Sequence, residues 1–345
     1  MLPRLFLALV LSLAAGMLPA ADLYTGEVPA GDDAGHAGAE MAALDQVLSR
    51  LTGLYDESLA KRLGLGAGSV NRLVLTRQLL RREVFLPSGD TGEALYLQLT
   101  FDAAAIRQLL ADNQLPRWGR ERPLVLLWTA QERDGAVGML EEDSRLGYLI
   151  AEHARRVGLD IVRPLGDVFD LSEVTAEDIR GGFLASSDSA AKRYGADVVA
   201  MLDLRQRQGD EDARHWQGRL YWRVGGQELS LRRSDVSRER MIAEGFEMLA
   251  SSLASRYAVI DAGGEALQWQ VAVSGIVDEV QYAAVVNYLE NLSVVHHLQV
   301  ASAGGREIVF DLEAGEGLES YLELGGLLEL ERREHNRKLF YRLAH

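Results

Sequence analysis

Hydrophobic positions recur along this chain at two periods, and the switches between them outline three units. From about Glu40 to Leu51, the residues Met41, Leu44, Val47, Leu48 and Leu51 fall on one stripe at helical spacing, and Gly53 follows as a stop. A short apolar segment at Leu23–Val28 precedes this helix. After it, glycines 64, 66 and 68 mark a loop, and Asn71–Leu80 reads as a further helix. The period then changes to two. Leu95, Leu97, Leu99 and Phe101 share one face while Tyr96, Gln98 and Thr100 take the other, the pattern of a half-buried strand. Asp102 is placed to cap the helix that carries Ile106, Leu109 and Leu110.

Two prolines and a glycine interrupt the chain between Leu115 and Pro123, which stops helix and sheet alike. Leu124–Trp128 is then continuously apolar, as expected of a strand buried on both faces. A helix over Leu146–Val157, a strand near Leu159–Val162, a long loop from Arg163 to about Leu184, a helix ending near Tyr194 and a buried strand over Ala196–Leu204 follow. This alternation predicts an α/β layer with parallel strands. In Trp216–Val224, Trp216, Leu220, Trp222 and Val224 share one side, and Gly225-Gly226 turns that strand back into Glu228–Leu231. The helix Glu239–Tyr257 closes the unit.

Asp261-Ala-Gly-Gly264 is the second boundary. Beyond it come a strand (268–276), a helix (279–292), two strands (294–300 and 307–312), a helix (317–328) and a strand (338–343). That order, βαββαβ, predicts a ferredoxin-like arrangement of two helices on a four-stranded antiparallel sheet. The expected fold class is therefore α/β and α+β in several domains. An N-terminal α+β domain occupies residues 22–115, and a middle three-layer α/β domain with a mixed sheet occupies 116–260. A ferredoxin-like domain occupies 262–345.

The first residues do not read as fold. Met1–Arg4 is a short positive start, Leu5–Leu18 is apolar but for Ser12 and Gly16, and Ala20-Ala21 supplies small residues before Asp22. This is the pattern of a cleavable secretory signal over residues 1–21, cut after Ala20, and it is shorter than a membrane-spanning helix requires. Export to a bacterial periplasm is the expectation, with no stable transmembrane anchor after cleavage. The chain has no cysteine, which excludes a lipidated amino terminus, a disulfide framework and a thiolate zinc site. The net charge of -15 argues against nucleic acid as a partner. Three lysines stand against 33 arginines, the usage of a GC-rich coding sequence.

Several stretches resemble an uncharacterised family of exported proteobacterial proteins, domain of unknown function 2066 (DUF2066). They are Ala43-Leu-Asp-Gln-Val-Leu-Ser-Arg-Leu-Thr-Gly53, the Leu115–Pro123 linker, Arg163-Pro-Leu-Gly-Asp-Val-Phe-Asp170, Arg193-Tyr-Gly-Ala-Asp197 and Arg256-Tyr257. The resemblance implies an envelope protein and implies no activity. At fold level alone, the middle unit is similar to small periplasmic domains of envelope machines, such as the amino-terminal domain of the Tol translocation protein and curli secretion factors.

Catalytic signatures are absent from the sequence. It holds no His-Glu-x-x-His helix and no Gly-x-Ser-x-Gly elbow. His296 and His297 are adjacent on a predicted strand, so their rings point to opposite faces. His153 sits on the apolar stripe of its helix, as a core or interface histidine does. Ser186, Ser187 and Ser189 mark a helix start, where hydroxyls cap free amides. Gly64-Leu-Gly-Ala-Gly-Ser69 lacks a phosphate-loop lysine and reads as a flexible connector. The acidic loop is the richer feature. Asp167, Asp170, Glu173, Glu177 and Asp178 follow a strand of an α/β sheet, where ligands of such sheets bind. Paired carboxylates there would suit a divalent cation or acid–base work. Alternatively, Leu171-Ser-Glu-Val and Thr175-Ala-Glu-Asp are helix starts whose acids favour the helix dipole.

Trp118 stands in the Pro-bounded linker, either as an exposed ligand contact or as a pin between domains. The flanking prolines favour the pin, and Arg117, Arg120 and Arg122 are available to pair with carboxylates on either side. The reading is a non-enzymatic periplasmic protein that binds other cell-envelope proteins, with Trp118, Arg122, Asp167 and Asp170 as interface or structural residues and no metal or cofactor. The alternatives are an envelope hydrolase or transferase using the acidic loop 167–178, and a periplasmic binder of a small ligand between the first two domains.

Overall fold

The computed structural model describes residues 23–30, 35–55, 57–85, 91–133, 135–139, 144–206, 215–260, 267–292, 294–304, 307–315 and 317–344. The expected signal segment and the Asp261–Gly264 boundary lie outside them. The chain is a multidomain α/β and α+β protein whose described residues form three larger sheets and one two-stranded pair, and no described helix is long and apolar enough to cross a membrane.

The first sheet is antiparallel. Its unit runs β1 (Thr25–Pro29), α1 (Gly35–Thr52), α2 (Leu59–Arg62), α3 (Ala67–Leu73), β2 (Val74–Phe85), β3 (Thr91–Phe101), α4 (Ala103–Asp112) and the two-residue β4 (Pro116–Arg117), with strand order β1-β3-β2. The stripe Leu44, Val47, Leu48 and Leu51 of α1 joins Leu99 and Phe101 of β3 in one buried core. Asp102 caps α4 by accepting from the Ala104 and Ala105 amides. The helix expected over Asn71–Leu80 is corrected. Helical structure ends at Leu73, and β2 pairs with β3 in a long hairpin from Val74 to Phe85. Cross-strand pairing outweighs local propensity here. The Gly64–Ser69 connector is likewise partly helical, since α3 begins at Ala67 after Gly66.

The middle unit runs β5 (Leu124–Arg133), β6 (Ala136–Met139), α5 (Ser144–Val157), β7 (Asp160–Val162), α6 (Val168–Glu173), α7 (Ala176–Gly181), α8 (Asp188–Tyr194), β8 (Val198–Gln206), β9 (Trp216–Val224), β10 (Gln227–Val236), α9 (Arg238–Tyr257) and the short β11 (Val259–Ile260). The sheet is mixed: β5 is parallel to β7 and β8, while β6, β9 and β10 add antiparallel pairs. Alternate residues of β5 serve opposite layers. Val125 and Leu127 pack in the core that holds α5 and α9, whereas Leu126 and Trp128 pack with Val174, Ile179 and Leu184 on the other face. The expected long loop after Arg163 is thus two short helices. Leu171 is not a helix start; it lies inside α6, which Asp167 caps.

The third unit runs β12 (Leu267–Ser274), α10 (Glu279–Asn291), β13 (Val295–Gly304), β14 (Glu307–Ala314), α11 (Leu318–Leu322), β15 (Leu328–Glu334) and β16 (Lys338–Leu343). The βαββα order is as read, but the ending differs. The helix expected over 317–328 stops at Leu322, and an unforeseen strand, β15, precedes the final one. Asn336 and Arg337 take φ of 67° and 57°, left-handed positions in the three-residue loop 335–337 that closes the hairpin. The sheet therefore has five strands in the order β13-β14-β12-β16-β15, and β16 runs parallel to β12. It is a mixed sheet rather than the four-stranded antiparallel one. The core is continuous with that of the middle unit, across the edge-to-face pair Tyr257–Tyr321 at 6.1 Å.

Candidate functional site

Two of the quoted stretches, 163–170 and 193–197, meet in space just after β7. The Asp167 carboxylate accepts from the Asp170 amide at the start of α6, and Arg193 also donates to it. The Asp170 amide first, and Arg193 with it, hold the Asp167 carboxyl below its ordinary range. Asp170 is fully buried. Its carboxylate accepts from Arg193, from the Tyr194 hydroxyl at 2.8 Å and from the Gly166 amide at 2.9 Å. Tyr194 in turn accepts from the Leu165 amide. Nearby, Asp197 bonds the Leu124 amide and so ties the start of β8 to β5.

Two of the remaining acids of the loop also make local contacts. Thr175 and Asp178 form a reciprocal capping box on α7, and Glu173 accepts from Ser189. No group of three metal-ligating side chains gathers among the described residues. At Asp167 and Asp170 the geometry supports caps and braces, since each carboxylate already accepts from two or three hydrogen-bond partners.

What the braces hold is apolar. Leu165, Val168, Phe169 and Leu171 are 82%, 81%, 70% and 52% exposed, so four large hydrophobic side chains within seven residues face solvent. Asp170, between them, turns inward, while Asp167 stays exposed beside Arg193. Sequence reading fixed on the acids and missed this ridge. The signal was present, because Val168-Phe169 sits between two aspartates in a segment too short to build a core of its own. Scattered exposed hydrophobics are ordinary; a contiguous group marks a contact surface.

Trp118 lies elsewhere, at the junction of the first two units. It is fully buried, and its amide donates to the Leu51 carbonyl at 2.6 Å. β4 and β11 pair beside it, which joins the exits of the first and middle units. Arg122 does not make the carboxylate pair considered for it. It is buried, and its guanidinium donates to the carbonyls of Gly119, Arg50 and Gly158 at 3.1, 2.8 and 2.8 Å. Burial lowers its pKa to about 10. Arg50, from α1, donates to the carbonyls of Thr25 and Arg156. A planar fork with several donors suits this work, since free carbonyls at helix ends point in many directions. Gly158 (φ +72°) makes the packing possible, because a Cβ there would meet Arg122 Nη1 at 2.6 Å. Around the corner, buried Glu27 accepts from Arg82 of β2 and, at 2.8 Å, from Arg155 of α5.

The other residues singled out have structural positions. His153 is buried on α5, and His296 and His297 are exposed on β13. The serines do not cap α8 with their side chains. Ser187 accepts from the Trp128 indole at 2.6 Å, Ser186 donates to the Phe183 carbonyl and Ser189 donates to Glu173.

A family model for a domain of unknown function (DUF8605) matches residues 18–119. It is a different family from DUF2066, and that resemblance is corrected. The stretches that suggested it are an amphipathic helix, a Pro-bounded linker and helix-end braces, which the fold asks of any chain with these elements. No curated protein matches the chain. Among solved structures, a competence-damaged protein (CinA) superfamily protein from Enterobacter cloacae is 15% identical, with a TM-score of 0.22, over 44% of this chain and 88% of that one. A competence or damage-inducible protein from Enterobacter asburiae is 14% identical, with a TM-score of 0.22, over 44% and 93%. The CinA superfamily protein of Escherichia coli is 14% identical, with a TM-score of 0.20, over 44% and 83%. None of the three bears on the ridge or the junction.

Proposed function

We propose that this is a non-enzymatic periplasmic protein that acts by binding another component of the cell envelope, and that the Leu165–Leu171 ridge is its contact surface. One observation carries the reading: four exposed apolar side chains stand on a segment braced by buried Asp170. A rigid, preorganised apolar surface loses little entropy on docking and gains the burial of its hydrophobic area. The carboxylates beneath it are engaged in holding that shape. The reading of a small-ligand site between the first two units has less room, because Trp118, Arg122 and Arg50 fill that contact.

The test is in-cell photocrosslinking. A crosslinking amino acid at position 169 of the full chain should capture a discrete periplasmic partner, while the same probe at exposed Leu79 should not. Val168→Asp should abolish capture with thermal stability unchanged. Equal capture from both positions, or a capture that Val168→Asp leaves intact, would refute the ridge. Recovery of the chain in the cytoplasm with Met1 intact would refute export.

A further inference from the structure

The longer exposed edges of the three sheets differ in how they are protected. β2 carries Arg77, Arg81, Arg82 and Glu83, β10 carries Glu228, Arg232, Arg233 and Asp235, and β15 carries Glu329, Glu331, Arg332, Arg333 and Glu334. Charges on an edge strand deter further strands from pairing with it. β13 is the edge of the third sheet and reads Val-His-His-Leu-Gln-Val-Ala-Ser-Ala-Gly, with no acid, no lysine, no arginine and no proline. His296, His297 and residues 299–304 are exposed, so no described element covers this edge. Its register with β14 is regular over His297–Val300 and again over Ser302–Gly304, with one irregularity between.

The strand behind it is charged on one face. Phe310, Leu312 and Ala314 of β14 are buried beneath the helices, so the alternate residues Glu307, Asp311 and Glu313 share the solvent face. They lie opposite Gly304, Gln299 and His297 of β13. Asp311 and Glu313 accept from the neutral amides of Gln270 and Gln268, so these contacts leave their charge in place. The sequence from Asp261 onward has 6 basic and 14 acidic residues, a net charge of -8.

We infer that β13 accepts an extended segment of a partner protein as a sixth strand, and that the segment is basic on its solvent face. Backbone pairing supplies attachment, as in other strand-addition complexes. Specificity comes from long Arg or Lys side chains that reach over His297, Gln299 and Gly304 toward Glu313, Asp311 and Glu307 behind them. The same acidity disfavours a second copy of this chain as the occupant, since pairing two such edges would place two acidic sheets side by side. This contact is separate from the ridge and stands or falls without it.

The probe is a peptide of alternating arginine and valine, set against one of alternating glutamate and valine, with hydrogen exchange of the full chain read by mass spectrometry. The basic peptide should protect residues 295–304 and the acidic one should not. Asp311→Asn with Glu313→Gln should weaken that protection about fivefold, in line with the worth of opposite-charge contacts across a sheet. Ser302→Lys should abolish it. Where Ser302→Lys alters the melting curve, the carboxamide pair decides the matter, since it keeps shape and backbone. The inference is overturned if neither peptide protects, if both protect equally, or if the carboxamide pair binds as the native chain does. It is also overturned if protection without peptide grows with protein concentration, which would assign the edge to a second copy.

Discussion

The guanidinium carbon of Arg122 lies 4.0 Å from the centroid of the Trp118 indole, and both side chains are buried. A desolvated stack of this kind is worth about 2 kcal/mol beyond area burial. The indole is the wall against which Arg122 holds the Arg50 and Gly158 carbonyls together, so the two residues fasten the first unit to the middle one. Trp118→Ala should cost about 3–5 kcal/mol, the range for a fully buried aromatic. Limited proteolysis near 115–123 should accelerate, and the unfolding of the first two units should separate in calorimetry. Unchanged melting and protease resistance would show that the pin bears no weight.

Asp170 supports a second prediction. Asp170→Ala removes the acceptor for Arg193, the Tyr194 hydroxyl and the Gly166 amide together. Leaving buried donors unsatisfied costs about 1–3 kcal/mol. Hydrogen exchange over 163–174 should rise, and photocapture through position 169 should fall. Asp170→Asn retains one acceptor oxygen and should be milder. If Asp170→Ala leaves exchange in this segment unchanged, the buried carboxylate is not what shapes the ridge.

Legibility in the sequence followed the range of the forces involved. Leu124–Trp128 and the α1 stripe were readable because burial follows their pattern, and Leu95–Phe101 because its alternating face is buried at Leu99 and Phe101, although Leu95 is half-exposed. Asn71–Leu80 misled because its strand character depends on β3, a partner reached only through the hairpin. β15 was hidden by its own composition, Leu-Glu-Leu-Glu-Arg-Arg-Glu, which suits a solvated edge as well as a helix. At the site, Asp167, Asp170 and Trp118 could be named from local context. The roles of Asp170 and Arg122 could not, since their partners lie 23 and 72 residues away. The ridge was missed because exposure is a tertiary property: the segment reads as a long loop, and only the fold shows that the apolar residues of α6 have no layer above them.

His153 predicts an acid-side loss of stability. It is buried on α5, which packs against α9; burial first, and Arg156 second, lower its pKa from 6.5. The folded state keeps the imidazole neutral while the unfolded chain takes up a proton as pH falls below about 6.5. The unfolded state then binds more protons, so stability is full above that value and declines below it. Urea midpoints measured from pH 7.5 down to 5 should fall, and His153→Leu should flatten that fall. A variant that loses stability with pH as the native chain does would place the titration elsewhere.

Tyr288 carries the converse prediction on the alkaline side. Its hydroxyl is buried against α11, where the Tyr321 carbonyl at 2.7 Å and the Leu324 carbonyl at 2.9 Å share its proton. Burial, with Glu121 next among the causes, pushes its pKa well above the ordinary 10, and burial pushes Tyr55 and Tyr341 the same way. A phenol raised on folding keeps a proton that the unfolded chain loses. Its contribution is whole below pH 10 and drains away above it, because the folded state then binds more protons than the unfolded one. Three such phenols sit in three places, at the first junction, under α11 and within β16, so alkaline unfolding should be steep. Tyr288→Phe removes one of them and two hydrogen-bond contacts, and should cost about 1–2 kcal/mol at neutral pH. It should also shrink the difference from the native chain between pH 10 and 11.5. Tyrosinate absorbance at 295 nm should appear only with unfolding. If it rises while the fold's circular dichroism is intact, these phenols are open to solvent, and burial is not what protects them.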